Sequence, residues 1–421
     1  MQITFEEQRA ELRRGLFIKE GLVYLNVAAM GPVLPAAFEE ALRTWKDLEE
    51  NPSLHGYEYL QERMEDVRKK AAHFVGCGQK DMVITHSTTD GMNAVAQGLK
   101  LKEGDLILTT NQEHPGGRMC WEYLKQEHKV QIETIMLSPA KYDWKADVLE
   151  SIVEEFRKKI DRKPRVISVS HVTPYTGLKM PIQRIVKLGW PDECVFLVDG
   201  AQAVGAIDVN VKKLGCHAYA TCGHKWLMGP KGTGLLYLNE DKVAESYIKS
   251  LCPQEKHTVY NHATGVRDIP AILGLGAALD CFDRYFMSEV QNYLMFLRKS
   301  LHEGLSELES DGLLTIISPP PDNPLESPIL TFTLPSEINN ERLATILLHK
   351  YRFVVKVVPE DITSSLKDEE LTLLPYKKKY AIQTNVGNGI RISPHIYNTD
   401  DEIKRLIEVI KKELPELKKK E

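Results

Sequence analysis

From about residue 64 to residue 240, short apolar runs alternate with stretches of helical period, and this alternation restricts the chain to a small set of architectures. The clearest runs are Met82–Thr85, Leu106–Thr109, Gln131–Met136, Val166–Val169, Val195–Val198 and Leu235–Leu238, with helical patterns such as Met92–Leu99 and Val148–Lys159 between them. Strands so rich in Val, Ile and Leu need cover on both faces, and the interleaved helices provide it. The expectation is an α/β fold: a mainly parallel sheet with helices on both faces and a ligand site beyond the carboxyl ends of the strands. A long helical stretch from Ala271 to about Leu308 and a Pro-rich break at Ser318–Pro324 follow. Strand-like Ile329–Leu334 and Phe353–Val358 and a helical Asp400–Leu414 then predict a smaller α+β domain. The division is a segment 1–20, a large domain 21–280 and a small C-terminal domain 281–421.

Composition narrows the partners. The chain has 421 residues and a formal charge of −5, without a strongly basic block in its body. Nucleic acid is therefore not the expected partner, since phosphate binding needs a concentrated positive face. No apolar stretch approaches the ~20 residues of a membrane span. The opening MQITFEEQRAELRR is amphipathic and charged, unlike a secretory leader. Seven cysteines scattered without metal-type spacing suit a reduced, cytoplasmic setting and no metal.

The residues able to do chemistry fall just past the strands. Cys194-Val195-Phe196-Leu197-Val198-Asp199 delivers a carboxylate at the end of a wholly apolar strand, where it stays ionised only opposite a cation. Gly223-His224-Lys225-Trp226 supplies an amine ahead of the loop Gly229–Gly234. An amine that can bond to an aldehyde and an acid that can hold a pyridinium proton are the two groups that pyridoxal phosphate (PLP) chemistry requires. His86-Ser87-Thr88-Thr89-Asp90 opens a helix after a strand, a position suited to a phosphate. Asn111-Gln112-Glu113-His114 also follows a strand, and Arg391 in Ile390-Arg391-Ile392-Ser393 offers a fork for a carboxylate.

The stretches VDGAQAVG and GHKWLMGPKGTGLLY make the chain resemble the class V aminotransferases of PLP fold type I, a group that includes cysteine desulfurases, carbon–sulfur lyases and isopenicillin N epimerase. The resemblance runs from Tyr24-Leu25-Asn26 to Arg391–Asn398. It implies a seven-stranded-type, mainly parallel sheet, pyridoxal 5'-phosphate as cofactor and a homodimer with sites at the interface. By the same resemblance Lys225 carries the cofactor, Asp199 partners its ring nitrogen, and Gln202 reaches its hydroxyl. His114 lies on one ring face and takes part in proton transfer, and Ala201 packs the other. Thr88, Thr89, His224 and Cys222 surround the phosphate, with Cys222 standing where the family usually has Ser. Arg391 anchors the substrate carboxylate, and Asn26 belongs to the segment closing over the site.

Three departures bear on the reaction. Pro174 follows Ser170-His171-Val172-Thr173 where desulfurases commonly carry Asn. Val266 stands in Gly265-Val266-Arg267-Asp268 in place of the Thr offered to a partner's phosphate, with Thr264 nearby as a substitute. No cysteine occurs after Cys281, so the small domain lacks the thiol that takes sulfur as a persulfide. The expected reaction is β-elimination from a cysteine derivative; epimerisation or racemisation, transamination, and a cofactor-free scaffold are the alternatives. Substrate choice is expected in loops at Asn51–Tyr59, Gln254–Thr264 and Pro359–Gln383.

Overall fold

The computed structural model describes residues 4–239, 267–285, 287–358 and 387–420. Helix α1 (Phe5–Gly15), strand β1 (Val23–Tyr24) and helices α2 (Pro35–Glu50) and α3 (Leu54–Phe74) come first. A strand–helix series follows: β2 (Met82–Thr85), α4 (Thr88–Gly98), β3 (Leu106–Thr110), α5 (Pro115–Glu127), β4 (Gln131–Ile135), α6 (Val148–Arg157), β5 (Val166–Ser170), α7 (Ile182–Val186), β6 (Val195–Asp199), α8 (Val211–Leu214), β7 (Ala218–Cys222) and β8 (Gly234–Leu238). The C-terminal part contains α9 (Ile269–Tyr285), α10 (Met287–Ser310), β9 (Thr315–Ile316), β10 (Leu330–Thr333), α11 (Asn340–Tyr351), β11 (Phe353–Val354), β12 (Lys356–Val358), β13 (Gly389–Ile392) and α12 (Asp400–Lys420).

The large sheet has seven strands in the order β2-β8-β7-β6-β5-β3-β4, and β8 runs antiparallel to both neighbours. Two reversals leave β2 pointing the same way as β7, so the carboxyl ends of β2, β3, β5, β6 and β7 emerge together. Every residue of β6 is buried, and its alternate side chains enter two different cores. Val195 and Leu197 join one with Ile107, Val166 and Leu236; Phe196 and Val198 join the other with Leu108, Ile167 and Leu235. Such two-sided burial is what an unbroken apolar run specifies.

A second sheet, β12-β13-β10-β9, is antiparallel and packs with α10, α11 and α12 around its own core. Strand β1 pairs in parallel with β11, and Val23 and Leu25 are buried in this smaller core. The segment after residue 20 is thus tied to β11, in a two-stranded sheet of its own, before it reaches the large sheet. Helix α9 packs on α2 and α3 through the division expected at residue 281 and ends at Tyr285. The stretch expected as a loop at Asn51–Tyr59 is different: helix α3 begins at Leu54, so residues 54–59 are helical, because Asn51-Pro52-Ser53 marks a helix start and not a long loop. The loops at Gln254–Thr264 and Pro359–Gln383, and Gly265 and Val266, lie outside the described residues.

Between the sheets, one loop holds the parts together. Four successive carbonyls accept side-chain donors from the smaller domain: Pro174 O from Arg391 Nη1 (2.6 Å), Tyr175 O from Thr331 Oγ1 (2.7 Å), Thr176 O from Ser318 Oγ (2.6 Å) and Gly177 O from Ser327 Oγ (2.6 Å). A loop carbonyl removed from water must find a donor, and these donors fix Arg391 relative to the strand ends.

Candidate active site

The site is assembled from the ends of β2, β3, β6 and β7, the turn after Cys222, and the β12–β13 face. At the end of β6, Asp199 is buried; its Oδ1 accepts the Ala201 N–H at 2.9 Å, and its other oxygen has no hydrogen bond among the described residues. Burial raises its pKa against the weaker pull of Lys225. The Ala201 N–H and the more distant Lys225 charge only partly offset that burial, and no cation among the described residues forms an ion pair with this acid. Gly117 faces it: a Cβ there would lie 2.9 Å from Asp199 Oδ2.

Lys225 lies on a turn held from beneath by the N-terminal segment. Gly31 N–H donates to His224 O (2.7 Å), Leu34 N–H to Met228 O (2.8 Å), and Met228 N–H to Lys225 O (3.0 Å). Met228 is in the left-handed region (φ 50°) and fully buried, a strained conformation maintained by these contacts. Gly31 has no room for a side chain, since a Cβ would come within 2.2 Å of Lys225 O. Gln202 is buried beside this turn, with Nε2 donating to Ala28 O (2.8 Å) and Oε1 accepting from Trp226 Nε1 (2.9 Å). One amide N–H of Gln202 remains beyond these bonds.

The start of α4 is capped by Ser87, whose Oγ accepts the Asp90 N–H at 3.1 Å. The N–H groups of Thr88 and Thr89 are left at the helix mouth, as at any helix start. Thr88 Oγ1 is buried next to the Cys222 thiol and has no other partner. His224 Nδ1 is also buried and unpartnered; burial, then Lys225 and Lys231, push this imidazole down to about 4. Thr89 Oγ1 lies against the start of α5, where a Cβ on Gly116 would meet it at 2.3 Å.

His114 caps α5. Its Nδ1 accepts the Gly116 N–H at 3.0 Å, which assigns the proton of the neutral ring to Nε2. The residue is exposed to the cleft, yet the cleft walls, followed by the charges of Lys225, Arg391 and Lys356, hold the imidazole pKa well below its ordinary value. Opposite, Arg391 is buried, with Nη1 on Pro174 O and Nη2 3.4 Å from Asn26 Oδ1. These contacts aim the guanidinium at the cleft.

Two residues of this site were not assigned from sequence. Glu113 is buried between Thr110 Oγ1 (2.5 Å) and Ser170 Oγ (2.6 Å). Burial raises its carboxyl to about 7 against those hydrogen bonds, with Asp199 adding to the rise. The motif around His114 contained it, but its environment depends on Ser170, 57 residues away. Lys356 pairs in register with Arg391 across β12–β13, which no local pattern reveals.

A cofactor with a phosphate and a protonatable ring fits this arrangement. The unpartnered Thr88 Oγ1 and His224 Nδ1 converge where a phosphate needs donors, and buried Asp199 needs the positive charge of a ring nitrogen. The residues expected from sequence, Asn26, Thr88, Thr89, His114, Asp199, Gln202, Cys222, His224, Lys225 and Arg391, all lie around this cleft. The six described cysteines are unpaired, and no group of residues suited to a metal ion occurs among the described residues. Nor is any described helix long and apolar enough to cross a membrane.

Known proteins give a consistent match. A probable cysteine desulfurase of Methanothermobacter thermautotrophicus is 25% identical over 414 residues, covering 95% of this chain and 96% of that protein. A cysteine desulfurase of Shigella sonnei is 31% identical over 274 residues, 61% of this chain and 64% of that protein. The apo structure of a cysteine desulfurase from Thermococcus onnurineus NA1 has a TM-score of 0.78 at 23% identity, covering 96% of this chain and 98% of that one. The cystine C–S lyase C-DES, in complex with cysteine persulfide, has a TM-score of 0.78 at 20% identity and covers 93% of this chain and 98% of that one. Such structural likeness establishes the fold. With the aminotransferase class-V model matching residues 23–406, the chain belongs to the aminotransferase class-V family, a family of pyridoxal-phosphate enzymes.

Proposed function

We propose that the protein is a PLP-dependent carbon–sulfur lyase that removes the β-substituent of a cysteine derivative, releasing a keto acid and ammonia. The observation that carries this is the convergence of Lys225, Asp199, His114 and Arg391 on one cleft in a chain with no cysteine after Cys281. Its curated relatives are cysteine desulfurases, which also act at a carbon–sulfur bond.

Bound here, pyridoxal phosphate would supply an aldehyde and an electron-accepting ring, which acidify the α-proton of an attached amino acid. Thr88, Thr89, His224 and Cys222 would hold its phosphate, and Asp199 would keep its ring nitrogen protonated. Arg391 takes the α-carboxylate in a two-pronged hydrogen bond and so orients the Cα–H bond. Lys225 would hold the cofactor's aldehyde, and its Nζ is placed to receive the α-proton. His114 offers Nε2–H across the cleft, available to a departing sulfur. Burial raises the Glu113 carboxyl to about 7, so it carries less negative charge beside Asp199 than an exposed carboxylate would.

The active unit is a homodimer. An apolar stripe on α2, Phe38, Leu42 and Trp45, is exposed with Phe17 and Met30 beside the segment that supports Lys225. A stripe of this kind on the outer face of a helix suits a protein interface. The unpaired thiols fit a reduced, cytoplasmic compartment. The test is a panel of S-substituted cysteines. Keto acid release that depends on the cofactor supports the reading; deuterium exchange at Cα with inversion and without keto acid replaces it with epimerisation.

A further inference from the structure

The N-terminal segment supplies backbone N–H groups to His224 O and Met228 O on the turn that carries Lys225. Trp226 O, the carbonyl next after that of Lys225, accepts instead from a side chain, His395 Nε2, at 2.9 Å. A carbonyl only accepts, so the ring proton sits on Nε2, and Nδ1 is left buried with no hydrogen-bond partner among the described residues. His395 is fully buried, its ring stacked on Tyr397 (5.7 Å between centroids, 18° between planes) and edge-on to Phe282 (6.0 Å). Burial holds the imidazole pKa down at about 4 against that hydrogen bond, so at neutral pH the ring is an uncharged donor. A phenyl ring would fill this aromatic nest without an orphaned nitrogen. What the imidazole adds is the bond to Trp226 O.

Strand β13 carries Arg391, and the chain leaving it carries His395 on a firm mount. Ser393 N–H donates to Leu25 O (2.8 Å), and Ser393 Oγ accepts the Ala28 N–H (3.1 Å). Arg9 donates to Ile396 O and Asn398 O (2.8 Å each), and Arg13 Nη1 to Tyr397 O (2.9 Å). The Trp226 peptide has little slack, since a Cβ on Gly205 would lie 2.7 Å from Trp226 C and Trp226 Nε1 is bonded to Gln202 Oε1 (2.9 Å). We infer that His395 is a positioning residue that, by holding Trp226 O, fixes the Lys225 turn relative to Arg391. The inference rests on Lys225 as the amine that holds the cofactor and Arg391 as the carboxylate anchor, and deepens that reading by naming what keeps the two in register. A misplacement of about 1 Å between such groups costs roughly 10²-fold in rate.

The experiment uses aminooxyacetate and methoxyamine on the cofactor-loaded protein. Both displace the lysine amine from the aldehyde carbon and form an oxime, but only the first carries a carboxylate. Stopped-flow absorbance gives the ratio of the two rates, divided by the same ratio for free pyridoxal phosphate. The wild type is expected to favour aminooxyacetate about tenfold or more. His395→Phe, which keeps the packing without the donor, is expected to lose most of that preference, and His395→Gln, whose amide reaches the same carbonyl, to restore it. An unchanged preference in His395→Phe overturns the inference even if that variant unfolds at a lower temperature, because a merely structural residue alters stability and not the ratio. Loss of the preference in both variants also overturns it, since the hydrogen bond is then not the cause. If His395→Phe does not fold, His395→Asn, too short to reach Trp226 O, takes its place beside His395→Gln. A wild type with a lysine-bound cofactor and no preference removes the Arg391 reading and the inference with it. A wild type that gains no visible band with pyridoxal phosphate removes the Lys225 reading.

Discussion

Glu113→Gln tests whether the buried acid beside His114 is neutral in the working protein. Its carboxyl lies between two hydroxyls, Thr110 Oγ1 and Ser170 Oγ, and has no cationic partner in its hydrogen-bonding shell. Burial raises its pKa from 4.5 to about 7. In an unfolded chain the group ionises near its ordinary value. Below about pH 4.5 the proton is bound in both states and the group does not affect the pH dependence. Between 4.5 and about 7 the unfolded chain releases the proton while the folded one keeps it, so stability falls as pH rises. At ~1.4 kcal/mol per pH unit, the full penalty above pH 7 is about 3 kcal/mol. Gln copies the shape and donor capacity of the protonated acid, and both hydroxyls can turn to meet it. Urea unfolding of both proteins at several pH values between 4.5 and 8 isolates the effect, because any pH-independent cost of the substitution cancels. The variant is expected to gain about 3 kcal/mol on the wild type across that range. A difference that stays flat with pH refutes the argument for a neutral Glu113.

Other substitutions probe separate parts of the account. Gly31→Ala forces the N-terminal segment off the Lys225 turn by roughly 1 Å, since Cβ would sit 2.2 Å from Lys225 O, and is expected to lower turnover about 10²-fold; kinetics near wild type would show that this packing does not position the lysine. Asp199→Asn keeps the shape but removes the charge opposite the ring nitrogen, with an expected loss of about 10²-fold or more in kcat, measured as keto acid release. Ser318→Ala removes the donor to Thr176 O and the acceptor for Thr331 N–H, and is expected to destabilise the protein by about 2 kcal/mol in urea unfolding.

The sequence was most informative where one segment carries the whole instruction. An unbroken apolar run ending in an acid can only be a buried strand, and Asp199 stands at its end as expected. The sheet, its strand-end site and the cluster of named residues follow from such local signals. Strand β7 was missed because Ala218-Tyr219-Ala220-Thr221-Cys222 has few branched residues, and its place between β6 and β8 determines its conformation. The expected loop at Asn51–Tyr59 takes in the first turns of helix α3 because the polar Asn51-Pro52-Ser53 resembles a loop as much as a helix start. The least legible features depend on distant partners. Glu113 meets Ser170 across the sheet, Lys356 meets Arg391 through strand register, and the carbonyls of Pro174 to Gly177 find donors more than 130 residues further along.

The central claim is that the amine of Lys225 holds the cofactor over Asp199. Borohydride reduction of the cofactor-loaded protein, followed by peptide mass spectrometry, locates that attachment directly. The account predicts a single reduced pyridoxyl adduct on Lys225, absent from Lys225→Ala. An adduct on neighbouring Lys231, or no adduct in a protein saturated with pyridoxal phosphate, contradicts it.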